Sequence, residues 1–95
     1  MDFDWNNPVF EIPETLSSKD IEESFEDPFA VKLLPDSPRF SKQARFFNLG
    51  RSISGKSVFS YYKANGKSIR VIYSRPFVAE EKYLYLRKFN ESLQQ

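Results

Sequence analysis

The chain has 95 residues, the length of a single domain spanning 1–95. It contains no cysteine and no histidine, which excludes disulfides, a cysteine nucleophile, a Ser-His-Asp triad and the usual zinc site. The formal net charge is only +1, but acidic residues concentrate in 1–37 and basic residues from Arg39 onward. This asymmetry favours a polyanion-facing surface in the second half, with a mixed, solvated surface as the alternative.

The amino terminus and the apolar runs predict where the protein works. The chain opens with "MDFD", which is acidic where a secretory signal has a basic region. No apolar run approaches the roughly 20 residues that cross a bilayer. We therefore expect a cytoplasmic protein that makes no contact with a membrane.

The first third of the sequence predicts a short strand and a short helix. Phe3 and Trp5 alternate with aspartates, which is the period of a strand. Ser17 is a good N-cap for a helix, because Asp20 follows it at the capping-box position. Asp27 precedes a proline and therefore predicts the end of this helix.

Further strand patterns fill the middle of the chain, at residues 29–34, 45–49, 57–64 and 67–74. The Asn-Gly pair at 65–66 is the strongest short hairpin signal in the sequence. A two-residue turn there would pair Tyr62 with Ile69 and Tyr61 with Arg70. Alternation then gives the core face Val58, Ser60, Tyr62, Ile69, Val71 and Tyr73.

A closing helix is predicted over residues 79–93. Its apolar stripe, at spacings of three and four, consists of Ala79, Tyr83, Leu86, Phe89 and Leu93. Tyr85 falls off this stripe and is either a solvent-tolerant helix residue or part of a site. The elements together predict an α+β fold, in which an amino-terminal and a carboxy-terminal helix pack against one antiparallel sheet of about four strands.

Two arginines on the last strand need an explanation, because arginine is rarely buried without a partner. Stacking of Arg70 on Tyr61 is one purely structural explanation. Binding of an anion by Arg70 and Arg75 is the other. Strict alternation puts these two arginines on opposite faces, so that their cooperation requires a twist, a bulge or a strand end between them.

Arg, Lys, Tyr and Glu suit one reaction class, metal-free attack on a phosphodiester. Guanidinium groups bind phosphate and offset charge in the transition state, and the RNA 2′-hydroxyl can be the nucleophile. The helix acids Glu22, Glu23 and Glu26 are read as a solvated surface rather than a metal site. We therefore expect no metal and no cofactor.

Several segments resemble, in order and spacing, the BrnT toxins of bacterial type II toxin–antitoxin systems. They are "FDWN", "FEDP", "RFFNLGRS", "VFSYY", "IRVIYSRP" and "EEKYLY". The resemblance implies a RelE-like ribonuclease fold and an RNA-cleaving toxin that arrests translation. It also implies a cognate BrnA-type antitoxin, whose ribbon-helix-helix domain supplies the only contact with operator DNA.

The resemblance also implies a set of site residues. The positions that correspond to the catalytic pattern are Arg45, Arg70, Arg75, Glu81 and Tyr85. The arginines would converge on the scissile phosphate, with Glu81 or Tyr85 moving the proton and a 2′,3′-cyclic phosphate as product. The expected substrate-binding residues are Arg39, Arg51 and Lys82.

Two other hypotheses stay open. Family members carry histidines that this chain lacks, and Arg39 lies nearest to one of those positions. A catalytically degenerate toxin homologue that acts as an antitoxin-binding, regulatory module is therefore the alternative. A general RNA-binding domain, with salt-steep affinity and no cleavage, is the third hypothesis.

Overall fold

The structure, a computed structural model, describes residues 2–33 and 45–93, except for the side chains of Arg45 and Asn65. Arg39, which was expected to bind substrate, lies outside the described residues. The elements in chain order are β1 (Asp2–Phe3), α1 (Ser18–Glu26), β2 (Val31–Leu33), β3 (Arg45–Arg51), β4 (Ser57–Asn65), β5 (Ser68–Arg75) and α2 (Ala79–Leu93). Neither of these two helices is long and apolar enough to cross a membrane.

The sheet confirms the α+β class but differs in detail from the prediction. It has five strands in the order β1-β5-β4-β3-β2, rather than about four. The neighbours from β2 to β5 are antiparallel, whereas β1 pairs with β5 in parallel, through Asp2 with Ser68 and Phe3 with Ile69. From β1 at one edge the chain passes to β2 at the other edge and then returns strand by strand. The last strand, β5, therefore lies beside β1, and these two strands are parallel.

Helix α1 forms as its sequence predicts and packs on one face of the sheet. The side chain of Ser17 accepts the Asp20 N–H at 3.1 Å, and the Asp20 carboxylate accepts the Ser17 N–H at 3.0 Å. Ile21 and Phe25 are buried in the core. A Cβ at Gly50 would overlap the carbonyl oxygen of Ser24, so the helix lies directly on β3 where glycine leaves room.

The hairpin turn lies one residue later in the chain than predicted. Asn65 pairs with Ser68, so the turn is formed by Gly66 and Lys67. Gly66 has φ 62°, and glycine at the first turn position suits a type II′ turn. The predicted partners of Tyr61 and Tyr62 were therefore wrong.

Most of the predicted core face is nevertheless correct, because the change of register preserves the alternation near the turn. The residues of this inner face that are buried are Val58, Ser60, Tyr62, Ile69 and Val71. Five of the six predicted members are thus confirmed. The inner face is the one that packs against α1.

A bulge overturns the sixth member. Tyr62 pairs with Val71 and Tyr61 pairs with Tyr73, so Ile72 is the extra residue on β5. Beyond the bulge the alternation inverts, and Tyr73 lies on the outer face with 45% of its surface exposed. Arg75 pairs with Phe59 and so shares the outer face with Arg70.

Helix α2 packs through a different side from the predicted stripe. Tyr85 is the buried residue of this helix, at 2% exposure, whereas Tyr83 and Leu93 are 66% and 63% exposed. The Tyr85 ring packs with Phe77 and Phe89, at centroid distances of 5.6 and 6.3 Å. The predicted stripe is correct only in part: Phe89 and Leu86 are half-buried, whereas Tyr83 and Leu93 are exposed, because the helix is rotated to bury a tyrosine whose hydroxyl has an acceptor in the fold.

Candidate functional site

The outer face of the sheet combines aromatic rings with cations. Phe47 stacks with Phe59 and Tyr61, at centroid distances of 5.6 and 5.2 Å. Tyr73 lies across the ladder from Tyr61. The cations on this face include Lys63, Arg70 and Arg75. Tyr73 and Lys63 are exposed, whereas Phe47, Phe59 and Tyr61 are half-buried. Rings beside cations on a sheet surface form the kind of platform on which nucleic-acid bases and phosphates bind.

The structure brings Arg75 and Glu81 together. The Arg75 guanidinium donates to both carboxylate oxygens of Glu81, at 2.7 and 2.8 Å, and lies 4.2 Å from the centroid of the Phe59 ring. Hydrogen bonding to Glu81 raises the pKa of Arg75. Glu81 also accepts the N–H of Val78 at 2.9 Å, so the same carboxylate caps α2.

Arg70 shares the outer face with Arg75 but has different hydrogen-bond partners. Its guanidinium donates to the carbonyl oxygens of Asn6 and Asn7, at 2.9 and 2.7 Å, and lies 3.4 Å from the Asp4 carboxylate. These contacts fasten the amino-terminal segment to β5. The cross-strand partners of Arg70 and Arg75 are Lys63 and Phe59, which lie four residues or about 13 Å apart on β4.

Arg51 and Tyr85 form a third group, around Asp27. One oxygen of the Asp27 carboxylate accepts two hydrogen bonds, from the Tyr85 hydroxyl at 2.6 Å and from the backbone N–H of Arg51 at 2.8 Å. The Arg51 guanidinium lies 4.7 Å from the centroid of the Tyr85 ring. Burial, and then the hydrogen bond to Asp27, raise the pKa of Tyr85. The hydroxyl therefore keeps its proton at neutral pH.

A cleft of about 370 Å³ opens beside this group. Its lining includes carboxylates from the end of α1 as well as the Arg51 guanidinium. Glu23 accepts the backbone N–H of Ile53 at 3.1 Å, and these two residues form one side of the cleft. Because acids outnumber bases around it, the cleft is a poor receptor for phosphate.

The described site residues thus fall into groups rather than one cluster. Glu81 and Tyr85 are one turn apart on α2, so the Arg75–Glu81 and Arg51–Tyr85 pairs are neighbours along that helix. Arg70 stands apart from both. Lys82 is exposed on α2. Arg45 begins β3, where its backbone pairs with Lys63. The predicted convergence of Arg70 and Arg75 on one phosphate is therefore not the arrangement seen here.

Sequence reasoning missed two contributors. Asp27 was noted only as a helix end, yet it holds Tyr85, which lies 58 residues away in the chain. Phe59 was not expected to contact Arg75, yet the Arg75 guanidinium lies 4.2 Å from the centroid of its ring. The only local signal for Asp27 was its position before a proline, and this signal carries no information about a distant tyrosine.

Comparison with models of known protein families, with curated proteins and with solved structures finds no match. Within residues 2–33 and 45–93, no group of three or more metal-ligating side chains is arranged to hold a metal ion.

Proposed function

We propose that this protein is a metal-independent endoribonuclease toxin that binds RNA on the outer face of its sheet and arrests translation in the cytoplasm. A cognate BrnA-type antitoxin with a ribbon-helix-helix domain would neutralise it. The observation that carries the proposal is the bulge at Ile72. It brings Arg70, Tyr73 and Arg75 to one face. The same face carries Lys63 and the stacked rings of Phe47, Phe59 and Tyr61.

RNA binding to this face would use two kinds of contact. Tyr73 offers an exposed ring on which a base can stack, which is a sequence-tolerant contact of about 1–3 kcal/mol. Lys63 and Arg70 offer positive charge to the phosphates on either side of that base. The expected ligand is single-stranded RNA, since the bases of a duplex are not free to stack on a protein ring.

Arg75 and Glu81 are the pair to which we assign the chemistry. An incoming phosphate would share the Arg75 guanidinium and loosen its bidentate bond to Glu81. Glu81 would then accept the proton of the 2′-hydroxyl while that oxygen attacks phosphorus and the P–O5′ bond breaks. The leaving 5′ oxygen takes a proton from the Lys82 ammonium or from water, and the product end is a 2′,3′-cyclic phosphate.

Tyr85 has a positioning role in this scheme. Its hydroxyl already donates to Asp27, and its raised pKa makes it a poor acid or base near neutral pH. It fixes the rotation of α2, and this rotation sets where Glu81 meets Arg75. The contribution of Tyr85 is therefore to the alignment of the pair.

The test is cleavage by the purified protein in the presence of EDTA, together with growth of cells that express it alone. We expect growth arrest and 2′,3′-cyclic phosphate ends, both lost in Glu81→Gln and Arg75→Lys variants that remain folded. Lys19→Ala removes an exposed cation from α1, which packs on the opposite face, and is the matched control. Intact RNA with a folded protein would refute the nuclease.

A second candidate function is favoured by one observation. Arg70 and Arg75 are both already bonded within the chain, Arg70 to the amino-terminal carbonyls and Arg75 to Glu81. A catalytically degenerate toxin homologue, which keeps only antitoxin binding and regulation, would have this arrangement. It predicts healthy growth, a folded product and a stable complex with the protein of a neighbouring ribbon-helix-helix reading frame.

A further inference from the structure

Helix α2 carries a row of four apolar residues and one asparagine, most of which the fold leaves exposed. The row, which we name the α2 seam, consists of Ala79, Tyr83, Leu86, Asn90 and Leu93. Its spacings of four, three, four and three are those of the a and d positions of a coiled coil. Leu86 is half-buried and the other four residues are exposed. The helix instead packs on the body of the protein through Tyr85 and Phe89.

The seam lies on the surface because of how the helix is oriented, and not because the core is packed wrongly. On a helical wheel it is centred about 120° away from Tyr85, whose hydroxyl bond to Asp27 fixes the rotation of the helix. A shallow groove of about 370 Å³ lies along it, between Tyr83, Leu86 and Asn90. Neighbouring apolar side chains at a surface, here Tyr83 and Leu86, mark sites of protein association.

We propose that the α2 seam is the interface of a homodimer, in which α2 packs antiparallel against α2 of a second copy. The charges beside the seam select both the partner and the direction. Glu80 and Arg87 occupy the flanking e positions on one side and are exposed. In an antiparallel pair e faces e, so Glu80 of each copy meets Arg87 of the other, twice by symmetry.

A parallel pair is disfavoured by the same side chains. There the g position faces the e position of the partner, which would bring Lys82 against Arg87 and place two positive charges together. In the antiparallel register Tyr83 packs against Leu86 of the partner, and Ala79 packs against Asn90. One buried asparagine near the end of a seam is a device that fixes register at some cost in stability.

The dimer is expected to be weak. α2 has 15 residues and is about 22 Å long, so the helix pair alone buries less than the roughly 800 Å² per partner of a standard interface. We therefore expect a dissociation constant in the micromolar range or weaker. This inference does not depend on RNA cleavage, since it is argued only from the exposed residues and charges of α2.

The experiment is sedimentation equilibrium of the full chain over concentrations that bracket the micromolar range. We expect a reversible monomer–dimer equilibrium that Tyr83→Ser weakens by at least about tenfold, or about 1.4 kcal/mol of association free energy. Leu84→Ser is the matched control, because Leu84 is also exposed on α2 but lies beside the seam. Circular dichroism checks that each variant is folded.

A charge exchange tests the partner and the direction. Glu80→Arg alone and Arg87→Glu alone should each weaken the dimer, and the double variant should restore it. A chain that stays monomeric at every concentration overturns the proposal, as does a double variant no better than the singles. Protection of the seam from hydrogen exchange only in a complex with a different chain would assign it to that partner and also overturn the homodimer.

Discussion

Tyr85 donates a hydrogen bond of 2.6 Å from α2 to Asp27, the residue that ends α1. The bond joins residues of two elements that are 58 positions apart in the chain. The same oxygen of Asp27 accepts the N–H of Arg51, so one carboxylate links both helices to the end of β3. The rotation of α2, and with it the Arg75–Glu81 pair and the seam, follows from this contact.

Removing the Tyr85 hydroxyl should destabilise the protein. Tyr85→Phe leaves the Asp27 carboxylate without its hydroxyl donor, and such a loss in a partly buried site costs about 1–3 kcal/mol. Urea unfolding at neutral pH measures this change. Tyr83→Phe, at an exposed position on the same helix, is the control and should change the free energy of unfolding by less than about 0.5 kcal/mol. Equal effects of the two substitutions would mean that the bond to Asp27 contributes nothing.

The same tyrosine predicts a loss of stability at high pH. The pKa of Tyr85 is raised above its ordinary value of 10.0, so both folded and unfolded chains hold the proton below that pH and the stabilisation is complete. Above it the unfolded chain loses its proton first, and the free energy of unfolding falls. The difference in stability between the parent and Tyr85→Phe should therefore shrink as the pH rises past 10.0. Burial also raises the pKa of Tyr62, but Tyr62 is present in both proteins and cancels.

Gly50 should tolerate no side chain. A methyl group there would overlap the Ser24 carbonyl oxygen, so Gly50→Ala forces α1 away from β3. Overpacking of this kind costs about 1–3 kcal/mol. Thermal unfolding, with Ser68→Ala at an exposed position of β5 as control, provides the measurement. An unchanged midpoint in Gly50→Ala would show that α1 does not lie directly on the strand.

Arg70 should hold the amino-terminal segment rather than the core. Arg70→Ala removes the donors to the carbonyl oxygens of Asn6 and Asn7. We expect faster amide exchange at Asp4, whose N–H bonds to the Ile69 carbonyl at 2.8 Å, while amides of α1 exchange as before. Arg70→Lys should give an intermediate rate, since one ammonium cannot reproduce two separate guanidinium bonds. Uniform acceleration across the chain would instead assign Arg70 to the core.

Local signals in the sequence predicted local structure well. The capping box of Ser17 and Asp20 and the buried face around Val58 depend on residues close in the chain, and both are confirmed. The register error at Gly66 did no harm to that face, because it preserved alternation.

The failures are those that local patterns cannot resolve. An extra residue at Ile72 leaves no trace in composition, yet it moves Tyr73 and Arg75 to the other face. The side through which α2 packs was set by Asp27, which is distant in sequence, and not by the most regular apolar stripe. The resemblance supplied the positions of the arginines, but their partners depend on the tertiary fold.

The most direct test of the central claim measures binding of a 2′-O-methyl RNA, which cannot be cleaved, as a function of salt. Lys63 is an exposed cation in the middle of the outer face. We expect Lys63→Ala to weaken binding and to reduce the slope of log K against log salt by about 0.7, the loss of one phosphate contact. Lys19→Ala, on α1, should change neither quantity. Binding that is absent, or equally insensitive to both substitutions, would contradict RNA recognition by the outer face.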